Sequence, residues 1–159
     1  MTVKIPSGVD SGSHLRLSGE GEPGERGGPP GNLFVVLSTK PHDFFERHED
    51  DILCQIPISF PQATLGAEVE VPTLDGKTKL NIPSGTQNGD VFRLKKKGIH
   101  HLHGFGKGDQ IVQVIAKTPT NLTKRQIELL KEFAEEAEKN QESEKNETHN
   151  IKGKKKKRF

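Results

Sequence analysis

The chain has 159 residues, with 24 Lys and Arg against 22 Asp and Glu, one Cys, and neither Trp nor Tyr. Only 30% of residues are hydrophobic while 17 are Gly and 10 are Pro, so thin β-modules joined by turns are expected rather than one large core. A single Cys excludes an internal disulfide or a thiolate zinc site, and the lack of a run of about 18 apolar residues excludes a membrane-spanning helix. The opening MTVKIPSGVD also lacks the basic-then-apolar order of a signal peptide.

Residues 5–21, IPSGVDSGSHLRLSGEG, recur as IPSGTQNGDVFRLKKKG at 82–98, a constant offset of 77. Ile5, Pro6, Ser7, Gly8, Gly12, Arg16, Leu17 and Gly21 all find their identical counterparts. The same offset sets Gly31, Asn32 and Val35 against Gly108, Asp109 and Val112, so GNLFVVLSTKP and GDQIVQVIAKTP read as equivalent strands. In each repeat a Pro-Ser-Gly step ends a strand, because Pro offers no ladder donor and Gly accepts positive φ. Leu15 and Leu17, like Phe92 and Leu94, alternate with Arg16 and Arg93 as a half-buried strand requires. A Gly-rich loop follows, over 19–31 and 98–108. Leu33, Val35 and Leu37 then share one face, with Phe34 and Val36 on the other.

Ahead of Ile82 the second repeat has more. ILCQIPISF (52–60) puts Cys54, Ile56, Ile58 and Phe60 on one strand face, and a short turn or helical segment (61–66) follows. The hairpin AEVEVPTLDGKTKLNIP then turns at Asp75-Gly76, a type I′ signal that pairs Val71 with Leu80 and Val69 with Ile82. Nothing equivalent precedes Ile5, so the chain reads as the C-terminal part of something longer.

Residues 120–139 change character. Thr123 with Gln126 forms a capping box and Leu122 with Ile127 a hydrophobic staple. Ile127, Leu130, Phe133, Ala134 and Ala137 make a narrow apolar stripe on a charged helix. That stripe packs either on its own domain or on the same helix of a second copy. Residues 140–159 carry seven Lys and Arg against three acidic residues, so the basic balance belongs to this tail and the body is mildly acidic. The tail is expected to be disordered and solvated.

In combination these residues resemble the C-terminal, client-binding region of the DnaJ co-chaperone family. The likeness rests on VKIPSGVDSGSHLRLSGEGEPGERGGPPGNLFVVLSTKPHDFFER (3–47), on DDILCQIPISFPQATLGAEVEVPTLDGKTKLNIPSGTQNGDVFRLKKKGI (50–99) and on GKGDQIVQVIAKTPTNLTKRQIELLKEF (106–133). It implies a mainly β fold: two tandem, similar small β-sandwich domains, the first incomplete, and a C-terminal amphipathic helix. Residues 1–42 would be the partial first domain, 43–119 the complete second domain, 120–139 the dimerisation helix and 140–159 the tail. Full-length members also carry a J-domain with a His-Pro-Asp tripeptide that stimulates a DnaK-type ATPase. The order Pro41-His42-Asp43 is not that tripeptide, and one Cys cannot supply the family's zinc-binding Cys repeats. No cofactor is expected in this chain.

The resemblance implies that unfolded polypeptide clients bind a shallow apolar groove on the first β-domain. Its remaining lining is expected on strands at Val3–Ile5 and Leu33–Leu37, with Val3, Ile5 and Val35 in contact with client. Dimerisation is expected through Ile127, Leu130 and Phe133, giving a homodimer that acts in protein folding and stress response in the cytoplasm. Exposed ladder edges lead us to expect poor order or aggregation in 1–42 against an intact sandwich over 50–118.

Other features carry less. His100, His101 and His103 read as loop histidines, since no carboxylate or thiolate stands at ligand spacing. Gly104, Gly106 and Gly108 around Lys107 fit no phosphate-binding fingerprint. Cys54 reads as core filler. No catalytic constellation is recognisable, and the chain is read as not an enzyme. The alternative is a β-rich nucleic-acid-associated protein using the basic tail with Lys95, Lys96 and Lys97. Against it stand the acidic body and the missing Tyr and Trp stacking platforms.

Overall fold

A computed structural model describes residues 2–155, with side chains described for 2–140. The chain divides after Thr118 into two compact bodies, and the first is mainly β.

The first repeat forms β1 (His14–Leu17) and β2 (Leu33–Val36), an antiparallel pair in which Leu15 faces Val35 and Leu17 faces Leu33. Alternation leaves Leu15, Leu17 and Val35 half-buried and turns Arg16, Phe34 and Val36 outward. No residue of 2–42 is buried. The strand expected at Val3–Ile5 does not form: no ladder partner reaches this segment among the described residues, and an unpaired extended stretch is not a strand.

The second repeat contributes β3 (Glu46–His48), β4 (Asp51–Ser59), α1 (Phe60–Leu65), β5 (Ala67–Thr73), β6 (Gly76–Ile82), β7 (Val91–Leu94) and β8 (Gln110–Lys117). Four of these strands make one sheet in the order β3-β4-β8-β7, and β5 pairs with β6 in a second. The central pair, β4 and β8, is parallel, with Cys54 beside Val112 and Ile56 beside Val114. Parallel neighbours need a long connection, and here it contains α1, the hairpin and β7.

Cys54, Ile56 and Ile58 of β4, Val112 and Val114 of β8, Val71 of β5, Leu80 and Ile82 of β6 and Ala63 of α1 form one buried cluster. Phe92 and Leu94 of β7 close its edge. This is the expected sandwich, four strands facing a hairpin. Each fully buried Ile or Val contributes on the order of 1.5–3 kcal/mol.

Two local expectations are corrected. Phe60 leaves the buried face and is 41% exposed, because Ser59 ends the strand. The Ser59 hydroxyl accepts from Gln62 N–H and Gln62 Oε1 accepts from Ser59 N–H, a capping box that starts α1 with Phe60 in its first turn. The hairpin register is also displaced by two residues: Thr73 pairs with Gly76, so Val71 faces Thr78, Val69 faces Leu80 and Ala67 faces Ile82. Thr73 Oγ1 accepts from Asp75 N–H at 3.3 Å and donates to Gly76 O at 3.1 Å. The loop is therefore Leu74-Asp75, and Gly76, at φ 123, follows it. A two-residue shift keeps every side chain on its expected face.

The second body contains α2 (Lys124–Lys155), which is capped as the sequence indicates: Thr123 Oγ1 accepts from Gln126 N–H, and Gln126 Oε1 accepts from Thr123 N–H at 2.9 Å. The helix runs past 139 into the segment expected to be disordered, where Glu, Gln and Lys, all good helix formers, are frequent. The end of the basic tail, 156–159, lies outside the described residues.

Candidate functional site

Among the described residues, no ladder joins the residues singled out from sequence as client contacts. Ile5 is 57% exposed, Val3 is half-buried, and neither is joined by a ladder to β2. Val35 is half-buried on the Leu15 and Leu17 face. Its counterpart at the offset of 77 is Val112, whose side chain is fully buried in the second sandwich. Val35 therefore occupies an inward position. The outward apolar groups of the same strand are Phe34 and Val36, 59% and 62% exposed. Alternation had already separated these two from Val35; their outward orientation could have been read by transferring the burial of Val112 across the repeat.

A further surface, not anticipated from sequence, lies on the second repeat, with Asp10, Thr39 and Lys40 of the first at its margin. An open groove of about 1100 Å³ runs beside Phe44 and Phe45 and along Leu53, Val91, Ile99 and Ile111. Leu53, Ile111 and Val91 stand on the sheet face opposite the buried cluster. Ile111 is the counterpart of Phe34, so both repeats turn an apolar side chain outward at the same position. Pro41–Phe45 line one side of the groove, and Phe44 and Phe45 also pack against the buried cluster. His42 Nδ1 accepts from Phe44 N–H at 3.0 Å, and the Phe44 and Phe45 rings pack edge to face with centroids 4.9 Å apart. The adjacent Phe pair just after Pro41 was the sequence signal for it.

The Gly-rich loop 98–108 is a fixed hairpin. His100 and Lys107 form a bridge, and Gly98 N–H donates to Gly108 O at 2.8 Å. One of its histidines is paired with a carboxylate: His101 Nδ1 lies 2.6 Å from Asp50 Oδ2. Among the described residues, no three His, Cys, Asp or Glu side chains are placed to hold a metal ion. Lys107 Nζ donates to Asp75 Oδ2 at 2.7 Å, and this hydrogen bond with its charge holds the Asp75 carboxyl below the usual range. Burial pushes the Cys54 thiol up, partly offset by the hydrogen bond from Gln110. Gln110 Nε2 donates both to Cys54 Sγ and to Pro72 O, leaving Gln110 Oε1 buried without a partner.

On α2, Ile127 is 41%, Leu130 37% and Phe133 56% exposed, so the stripe presents apolar surface. No helix among the described residues is long and apolar enough to cross a membrane.

The DnaJ C terminal domain family matches residues 1–119. The chaperone protein DnaJ of Shouchella clausii is 55% identical over 134 residues, 84% of this chain and 36% of that protein. That of a Geobacillus species is 59% identical over 131 residues, 82% and 34%, and that of Bacillus velezensis 56% over 135 residues, 85% and 36%. The chain thus spans about a third of the length of the curated relatives it matches.

Proposed function

The chain belongs to the DnaJ C-terminal domain family, and from that premise we propose that it is the client-holding and dimerising part of a DnaJ co-chaperone. It takes up unfolded or non-native polypeptides and, within a longer protein, passes them to a DnaK-type ATPase chaperone in protein folding and the stress response. It does this in the cytoplasm, without enzymatic chemistry, metal or nucleotide of its own.

The observation that carries this reading is the exposure of Phe34 and Val36 on a two-stranded pair, with Ile5 exposed in the extended segment that precedes it. An unfolded chain offers extended backbone and apolar side chains, and a strand edge beside outward apolar groups answers both. Ile5, Phe34 and Val36 touch the client; Val3 and Val35, half-buried, shape the surface beneath it. The groove along Leu53, Val91 and Ile111 offers a second apolar face at the equivalent position.

Two copies pair through Ile127, Leu130 and Phe133 of α2, so that two client surfaces act on one polypeptide and gain from effective concentration. Fluorescence anisotropy of a labelled, permanently unfolded polypeptide tests the reading. Saturable binding that weakens in Phe34→Ser supports it; no binding by the folded chain overturns it.

A further inference from the structure

The turn at Gly8–Asp10 belongs to the first repeat, and the side chain that holds it belongs to the second. Arg47 Nη2 donates to Gly8 O at 2.9 Å and Nη1 to Val9 O at 2.7 Å. Its Nε donates to Glu49 O at 2.7 Å, fixing the guanidinium on its own side, and Asp10 Oδ1 lies 3.8 Å from Nη1. The Arg47 side chain is only 24% exposed. One charged fork thus spans three carbonyls, which a lysine ammonium on a flexible stem cannot do.

The turn is met from another direction as well. Gly8 has φ 86, and a Cβ placed there would collide with His100 O and stand 3.0 Å from Leu102 N. Gly8 is needed both for its backbone angle and for this close approach to the 98–108 loop.

The second repeat treats its equivalent turn differently. Gly85 and Thr86 donate their N–H groups to Thr64 O and Ala63 O of α1, and a Cβ on Gly85 would meet nothing within 4 Å. The Arg47 contact is therefore a property of the junction and not of the repeat. Leu37 and Thr39 are bonded to Ser13 and Ser11 of the first repeat, and Phe44 and Phe45 pack against the core of the second, so the connection between them is 40–43, which contains neither helix nor strand.

We propose that Arg47 is the joint that fixes the first β-repeat on the second, a positioning residue that sets where the first repeat points. It acts through the Gly8 and Val9 carbonyls. Losing it frees the first repeat to reorient about 40–43 while the second sandwich stays folded.

Spin labels at Ser18→Cys and Lys79→Cys, in the full chain diluted with unlabelled copies, read the orientation without any client. Cys54 is buried and stays unlabelled. Arg47→Ala and Arg47→Lys should both broaden the distance distribution, and Gly8→Ala should broaden it from the other side. In Arg47→Ala, amide exchange at Gly12, Ser13 and Leu37 should rise at least about tenfold while Val112 and Val114 keep their protection. An unchanged distribution in Arg47→Ala, or full rescue by Arg47→Lys, would overturn the assignment. So would an equal loss of protection in β4 and β8, which would make Arg47 a support of the second sandwich instead. None of these readouts depends on polypeptide binding, so they stand apart from the proposed function.

Discussion

Leu15 and Val35 face each other across the β1–β2 pair, and 77 residues on Phe92 and Val112 face each other across β7–β8. The other three pairs of each ladder repeat in the same way. So do the flanking bonds: Gly12 N–H to Leu37 O and Gly89 N–H to Val114 O, at 2.9 and 2.8 Å. Gly21 N–H to Gly31 O matches Gly98 N–H to Gly108 O, at 3.0 and 2.8 Å. Even the positive φ of Gly19 recurs, at Lys96, which adopts φ 58 without being Gly. A repeat in residue identities is thus a repeat in hydrogen-bond register.

That equivalence separates two faces of β2. Phe34→Ser and Val36→Ser should each weaken polypeptide binding about five- to tenfold, the effect of removing one exposed apolar side chain from a contact. Neither should alter amide protection in β1 and β2. Val35→Ser should loosen that pair, seen as faster exchange at Leu15 and Leu17.

Ile58 and Phe60 are two residues apart but in different environments, 2% and 41% exposed. Ile58→Ala should cost about 2–5 kcal/mol in urea unfolding, through lost burial and a cavity. Phe60→Ala should cost clearly less. Equal losses would mean that Phe60 shares the core face after all.

If α2 carries the dimer, Leu130→Glu places a charge in the middle of the apolar stripe and should yield a monomer in sedimentation equilibrium at micromolar concentration. Glu128→Lys, off the stripe, should leave the association unchanged.

The Asp75–Lys107 contact gives a pH dependence with a definite sign. Because the folded carboxyl titrates below its unfolded value, its contribution is complete above the ordinary Asp range and is lost as pH falls through the folded value. Amide shifts of Gly106 and Lys107 should therefore move on acidification, at lower pH than an unpaired Asp would titrate. Asp75→Asn should abolish that step.

The repeat was legible because Pro-Ser-Gly turns and alternating strands recur as residue identities. The Thr123 cap was legible for a similar reason, since it depends on residues three apart. The hairpin register was not, because the Thr73 hydroxyl moves the loop one residue upstream of the Asp-Gly step. The parallel pairing of β4 with β8 joins residues 58 apart, such as Cys54 and Val112, and no local pattern encodes it. For the candidate site, alternation divided β2 into two faces, but which one turns outward needed the burial of Val112. Arg47 looked like any strand charge, since its partners are backbone carbonyls that have no sequence signature.

The central claim is that this chain holds non-native polypeptide on its first β-repeat. Light scattering of a chemically denatured protein diluted into buffer, with increasing amounts of this chain, tests it most directly. Dose-dependent suppression that falls away in Phe34→Ser and Ile5→Ser is the expected result. A folded chain that leaves the aggregation curve unchanged at every dose would contradict the account.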